Sequence, residues 1–162
     1  MGKQYDNTEL ARDYFEKGYL LQKSGHLDRA AHFYRRSIEF QPTAQAFTFL
    51  GWVYSQKGLL REAIEQCKAA IEIDPDYGNP YNDIGAYLLQ MNNYFDAEEW
   101  FLKALQASKY ENYCYPYMNL RKIYEFRGLW EKAGEMFNRA LKENPSYTPA
   151  SDALIRLSAR YN

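Results

Sequence analysis

The sequence predicts an all-α solenoid, a row of antiparallel helix pairs, and three observations carry that prediction. A turn and helix start recur as Gly25-His-Leu-Asp-Arg-Ala30, Gly58-Leu-Leu-Arg-Glu-Ala63 and Gly128-Leu-Trp-Glu-Lys-Ala133, with a relaxed copy, Asn92-Asn-Tyr-Phe-Asp-Ala97, between the last two. The four alanines stand 33, 34 and 36 residues apart, a period that suits two short helices per unit. Pro42, Pro75 and Pro145 each follow the second predicted helix of a unit, because proline cannot continue the helical hydrogen-bond ladder. Four such units and one extra helix use nearly all of the 162 residues, so a single domain is predicted.

Aligned on the alanines, helix A of each unit falls at about 8–24, 44–57, 78–91 and 114–127, and helix B at about 27–40, 60–73, 94–107 and 130–143. The units span about 11–43, 44–77, 78–113 and 114–147, after a polar tail over 1–7. Small residues, Gly18, Gly51 and Gly85 on helix A and Ala30, Ala63, Ala97 and Ala133 on helix B, let the paired helices approach closely. Around them Tyr14, Phe47, Tyr81 and Tyr117, then Leu21, Tyr54, Leu88 and Tyr124, with Tyr34, Phe101 and Phe137 on helix B, repeat at helical spacing and form the buried stripe. A lone pair leaves half of that stripe in water, so each unit must lean on the next. After Pro149, residues Ala150, Ala153, Leu154, Leu157 and Tyr161 share one face. They predict a capping helix at about 149–161 that covers the last unit.

Composition narrows the class of function. Twenty basic against 21 acidic residues give a net charge of −1, which offers no bulk field for a nucleic acid backbone. No stretch reaches the roughly 18 apolar residues of a membrane span, and the opening carries no apolar leader. Met1-Gly2 invites N-terminal acylation, yet Asp6 stands where that motif wants Ser or Thr. A soluble, cytoplasmic protein without a membrane or nucleic acid partner is expected. Cys67 and Cys114 show no metal-ligand spacing and are expected to be reduced thiols, with Cys67 in the core. His26 and His32 lack a third ligand. No phosphate-cradling loop, activated nucleophile or carboxylate pair is evident, so neither catalysis nor a cofactor is expected.

The aromatic, Leu-Gly, Tyr, Ala, aromatic, Ala, Pro sequence of positions resembles the tetratricopeptide repeat family. The second unit meets it with Phe47, Leu50-Gly51, Tyr54, Ala63, Cys67, Ala70 and Pro75, and the fourth with Tyr117, Leu120, Tyr124, Ala133, Phe137, Ala140 and Pro145. The first (Tyr14, Gly18, Leu21, Ala30, Tyr34, Ser37, Pro42) and third (Tyr81, Ile84-Gly85, Leu88, Ala97, Phe101, Ala104) fit more loosely. The resemblance implies a right-handed superhelix whose A helices line a concave groove for peptides, partner helices or folded proteins. Three departures stand out. Lys17 replaces the leucine of the first unit. Arg121 occupies the glycine slot of the fourth, where Gly134 is expected to give its stem room to reach outward. Lys109 replaces the third closing proline, ahead of a linker two residues longer than the rule, so that helix B is expected to run on or the loop to protrude.

Carried over position by position, the groove implied by the resemblance comprises Arg12, Phe15, Tyr19 and Lys23; Thr48, Phe49, Trp52 and Gln56; Asn82, Asp83 and Leu89; and Tyr115, Asn119, Lys122 and Phe126. Phe15, Tyr19, Phe49 and Trp52 form an aromatic patch, set against the alternative that the rings pack between neighbouring A helices. The wall is nearly neutral and lacks the cation and asparagine set with which some family members hold a chaperone's C-terminal carboxylate. Tyr110, Tyr113, Tyr115 and Tyr117 around the long linker are a second candidate surface, with loop packing the favoured alternative. The function expected is a non-catalytic adaptor or scaffold, monomeric or weakly self-associating, that binds a protein or peptide. A secretion-type chaperone for an amphipathic client and a self-assembling structural scaffold are the alternatives. A pilus-assembly lipoprotein is disfavoured by the absence of a leader with a lipidated cysteine.

Overall fold

The computed structural model describes residues 6–147; the predicted capping helix and most of the tail lie outside the described residues. Eight helices follow in order: α1 (Asn7–Lys23), α2 (Leu27–Phe40), α3 (Ala44–Gln56), α4 (Leu60–Ile73), α5 (Asn79–Gln90), α6 (Tyr94–Gln106), α7 (Cys114–Phe126) and α8 (Trp130–Glu143). Each bound lies within one residue of the sequence prediction. Odd-numbered helices are the A helices and even-numbered the B helices.

The turn within each pair is built the same way four times. Gly25, Gly58 and Gly128 take φ of 78°, 78° and 71°, and Asn92 in the relaxed copy takes φ of 59°. This left-handed conformation is open to Gly and next most readily to Asn, which is why Asn92 substitutes there. Behind it, the amides of His26, Leu59, Asn93 and Leu129 donate to the carbonyls of Leu21, Tyr54, Leu88 and Tyr124 at 2.8–3.0 Å. These bonds satisfy carbonyls that the ending helix leaves open. The B helices stop where Gln41, Asp74 and Asn144 turn extended ahead of their prolines.

Close approach of the two helices is visible at the small residues. Ala30, Ala63, Ala97 and Ala133 have no exposed surface. A Cβ at Gly18 would meet Tyr34 at 2.9 Å, and one at Gly51 would meet the Ala63 carbonyl oxygen at 2.9 Å. At the equivalent level of each pair Tyr34, Cys67, Phe101 and Phe137 are completely buried. The core is therefore a line of similar clusters shared between neighbouring units, as solenoid packing requires. Both cysteines are free and buried. Successive A helices touch, α3 with α5 and α5 with α7, which puts the A row on the inside of the curve.

Two departures resolve differently from expectation. Arg121 does not reach outward: its guanidinium lies 5.0 Å over the Phe137 ring of α8 and pairs with Glu125 at 2.9 Å. Cation–π attraction and a satisfied ion pair make the interior position favourable for its planar charge. The long linker neither extends α6 nor protrudes. Helix α6 ends at Gln106 with Ala107 extended, and the linker folds back on the previous inter-unit loop. The Lys109 amide donates to Asp76 O at 2.9 Å, the Gly78 amide to Lys109 O at 3.1 Å, and the Lys109 ammonium to Asp74 at 2.8 Å. Tyr110 is buried there and Tyr113 donates its hydroxyl to Ala107 O at 2.8 Å. Tyr110 and Tyr113 are therefore loop packing, whereas Tyr117 lies on α7 and packs against Met118 and Phe137 of the core, and Tyr115 stays exposed.

Candidate protein-binding face

The inner face divides into two halves of different character. In the first two units Phe15, Tyr19 and Phe49 interlock edge to face, with centroids 5.2 Å apart for Phe15–Phe49 and 5.9 Å for Tyr19–Phe49. Phe15 and Phe49 also lean on the buried Tyr34 at 5.4 and 5.8 Å. Trp52 is half-buried against the Ala30, Tyr34, Leu50 and Val53 cluster. The rings chiefly close the seam between α1 and α3, and Tyr19 is the most open of them. Thr48 is corrected outright: it is 3% exposed and donates its hydroxyl to Ala44 O at 2.8 Å, so it offers a ligand nothing. Arg12, Lys23 and Gln56 are exposed, with the Lys23 ammonium 5.5 Å over the Tyr19 ring.

Asn82 and Asp83 mark the middle of the face and sit deeper than the sequence suggests. Among the described residues Asn82 Oδ1 is buried without a hydrogen-bond partner. The Asp83 carboxyl is pushed up to about 7 because burial penalises its charged form, a push that the hydrogen bond from Asn82 opposes. Tyr77 is driven up to about 12, and Tyr87, Tyr110 and the Cys67 thiol also upward, by burial first and then by the Asp83 charge, with Cys114 adding to it at Tyr110. A completely buried thiol held in its neutral form is the opposite of an activated nucleophile.

The second half holds an open hollow of about 640 Å³ between α5 and α7, lined by Ala86, Leu89, Gln90, Tyr94, Asn119, Lys122, Glu125 and Phe126. Four expected groove residues, Leu89, Asn119, Lys122 and Phe126, meet there. Tyr115 lies at the other end of α7, 45% exposed and edge-on to Tyr147 at 5.7 Å. Sequence reasoning missed Tyr94, which opens α6 and stacks on Phe126 with centroids 4.2 Å apart and planes 4° apart. Its signal was present: the same turn position carries Leu27, Leu60 and Trp130 in the other units. Burial first, and the neighbouring Arg121 charge second, hold the Lys122 ammonium below the ordinary lysine range. Among the described residues no group of three or more His, Cys, Asp or Glu is placed to hold a metal, and no helix is long and apolar enough to cross a membrane.

A tetratricopeptide repeat model matches residues 8–43 and 44–77 in tandem, coincident with the first two helix pairs. The chain contains tetratricopeptide repeats. Its third and fourth repeats lie outside that match; they carry the unusual linker and Arg121 in the glycine slot. A model of the Est1 DNA/RNA binding domain also matches residues 65–123. Over that stretch the repeats bear nine acidic and five basic side chains. Four of the five, Lys68, Lys103, Lys109 and Arg121, are held by Glu65, Glu99, Asp74 and Glu125, which leaves little to neutralise phosphates.

The repeats are 32% identical over 96 residues to human protein O-mannosyl-transferase TMTC3, covering 59% of this chain and 10% of that protein. They are 24% identical over 140 residues to the TPR repeat-containing protein YpiA of Bacillus subtilis, covering 83% of this chain and 31% of that one. The chain thus spans less than a third of the length of either relative. Among solved structures, pilF of Pseudomonas aeruginosa superimposes with a TM-score of 0.89 at 21% identity, over 97% of this chain and 71% of that one. YrrB, described as a TPR protein with an unusual peptide-binding site, gives 0.67 at 21% identity over 91% of this chain and 76% of that one. These likenesses are of fold.

Proposed function

We propose that this protein is a non-catalytic interaction module, an adaptor or scaffold acting in the cytoplasm, whose inner face binds a peptide, an amphipathic helix or a protein surface. The observation that carries the reading is the hollow between α5 and α7, where four groove residues and Tyr94 surround about 640 Å³ of open space. Concave sites that combine a few polar groups with aromatic rings are where binding energy concentrates. Amides (Gln90, Asn119), rings (Tyr94, Phe126) and aliphatic surface (Ala86, Leu89) suit an extended or helical polypeptide.

The test is co-purification with wild-type protein and with a Leu89→Glu/Phe126→Glu double variant, followed by identification of the chains retained. The expected result is a polypeptide held by the wild type and lost by the variant. If every co-purifying chain is held equally by both, the reading fails. A second reading, a part in type IV pilus assembly, draws support from the likeness to pilF and to PilW, a type IV pilus biogenesis factor (TM-score 0.83, 19% identity). It predicts that the polypeptide retained is a pilus component.

A further inference from the structure

We propose that the hollow between α5 and α7 selects an acidic, aromatic-bearing peptide segment, with a large apolar side chain laid on the Tyr94–Phe126 pair and an adjacent carboxylate held by Lys122. The inference rests on the inner face being a peptide-binding surface and names the chemistry of its occupant.

The apolar half of the hollow is a preformed shelf. Phe126 is 68% exposed, yet it does not hang free: Tyr94 backs it in a parallel stack at 4.2 Å. Tyr94 in turn packs against the buried cluster of Ala97, Phe101, Leu120 and Ile123. An incoming ring or aliphatic side chain therefore meets a ring whose conformational freedom is already spent, which lowers the cost of binding. Leu89 and Ala86 extend the apolar wall on the α5 side.

The polar half is an imbalance of charge. Two charged side chains line the hollow, Glu125 and Lys122. Glu125 is neutralised from behind by Arg121, which reaches both carboxylate oxygens at 2.9 and 3.1 Å while stacked over Phe137. The Lys122 contact is an amide oxygen, Asn119 Oδ1, at 3.4 Å. Among the described residues the hollow thus presents a cation without a counter-ion, next to a second cation that is already occupied. Lys122 is exposed at the rim of the hollow, where desolvation on its inner side and then the Arg121 charge disfavour its charged form, and a carboxylate from the occupant offsets both. Asn119 and Gln90 supply donors and acceptors for the backbone of an extended segment.

The experiment is selection of a random dodecapeptide display library on the full chain, then fluorescence anisotropy of the most enriched synthetic peptide. Expected is enrichment of Asp or Glu beside Phe, Trp or Leu, with affinity lowered about tenfold or more by Lys122→Gln and by Phe126→Ala and unchanged by Lys68→Glu on α4. A peptide with its acid reversed to Lys should regain affinity on Lys122→Glu. Peptides that bind through the inner face, losing affinity on Leu89→Glu, but show no acidic bias or ignore Lys122 overturn this inference and leave the peptide-binding face standing. Failure to enrich any peptide overturns this inference and leaves the interaction face to the co-purification test. Binding of a single-stranded RNA oligonucleotide that depends on Lys122, with no acidic peptide selected, overturns the inference in favour of a nucleic acid partner.

Discussion

Gly85 of α5 lies so close to Phe101 of α6 that a Cβ on it would stand 2.6 Å from the ring. Phe101 is completely buried, so the ring has nowhere to retreat and the contact fixes the distance between the two helices. In a free helix Gly→Ala is stabilising by up to about 1 kcal/mol; here overpacking, at about 1–3 kcal/mol, outweighs it. Gly85→Ala should therefore lower the urea midpoint. A raised midpoint would mean that the third helix pair is looser than the geometry requires.

Gly78 serves the linker rather than the turn. Its φ is an ordinary −74°, but a Cβ there would come within 2.4 Å of Tyr110 Cβ. Gly78→Ala should push Tyr110 out and break the backbone pairing of the two linkers at Tyr77 and Lys109. Hydrogen exchange reads this directly, since the Lys109 amide donates to Asp76 O and the Gly78 amide to Lys109 O. Both amides should exchange at least about tenfold faster in the variant, with those of α1 and α2 unchanged. Retained protection would mean that the linker is not held by Tyr110.

Much of this architecture was legible because each signal has one local cause. The repeated alanines, the left-handed glycines and the closing prolines each answer a steric demand within a single helix pair, and even Asn92 could be matched to its glycine slot. Burial of side chains on the inner face was not legible in the same way. Thr48 and Asp83 occupy helix positions that face inward, yet how far they sink depends on the next unit, which a single-repeat pattern does not encode. Tyr94 was missed because it stands in the turn motif, outside the A helices that define the inner face. Its stacking on Phe126 needs two residues of different repeats to meet.

Asp83 should give the protein a pH-dependent stability with a defined sign. Unfolded, its carboxyl titrates near the ordinary aspartate value of about 3.9; folded, it is raised to about 7. Between those values the folded state holds the additional proton, so stability falls as pH rises through the interval and levels off above it. The groups sharing its surroundings, Tyr77, Tyr87, Tyr110 and Cys67, are all driven upward and stay neutral in that range. Asp28 and Asp74 are lowered by Lys57 and Lys109 and act in the opposite sense, below the window. The urea midpoint should be lower at about pH 8 than at about pH 5. Asp83→Asn should raise the midpoint at the higher pH and abolish the difference. An unchanged slope in Asp83→Asn would assign the dependence elsewhere.

Trp52 and Ala63 separate the surface from the core. Ala63 has no exposed surface, and its carbonyl oxygen would stand 2.9 Å from a Cβ on Gly51. Ala63→Leu must therefore wedge α3 from α4, at a cost of about 3 kcal/mol or more, enough to unfold a marginally stable domain. Trp52 is half-buried against the first core cluster, so Trp52→Ala removes apolar contact area worth about 1–2 kcal/mol while leaving the helix pairs in register. Circular dichroism should show native helicity and a modestly lower melting point for Trp52→Ala, and lost helicity for Ala63→Leu. If the two variants melt alike, Trp52 belongs to the core and the inner face of the first two repeats contributes no binding surface through it. If Trp52→Ala melts like the wild type, the ring is free for a partner and its contact with Leu50 and Val53 is incidental.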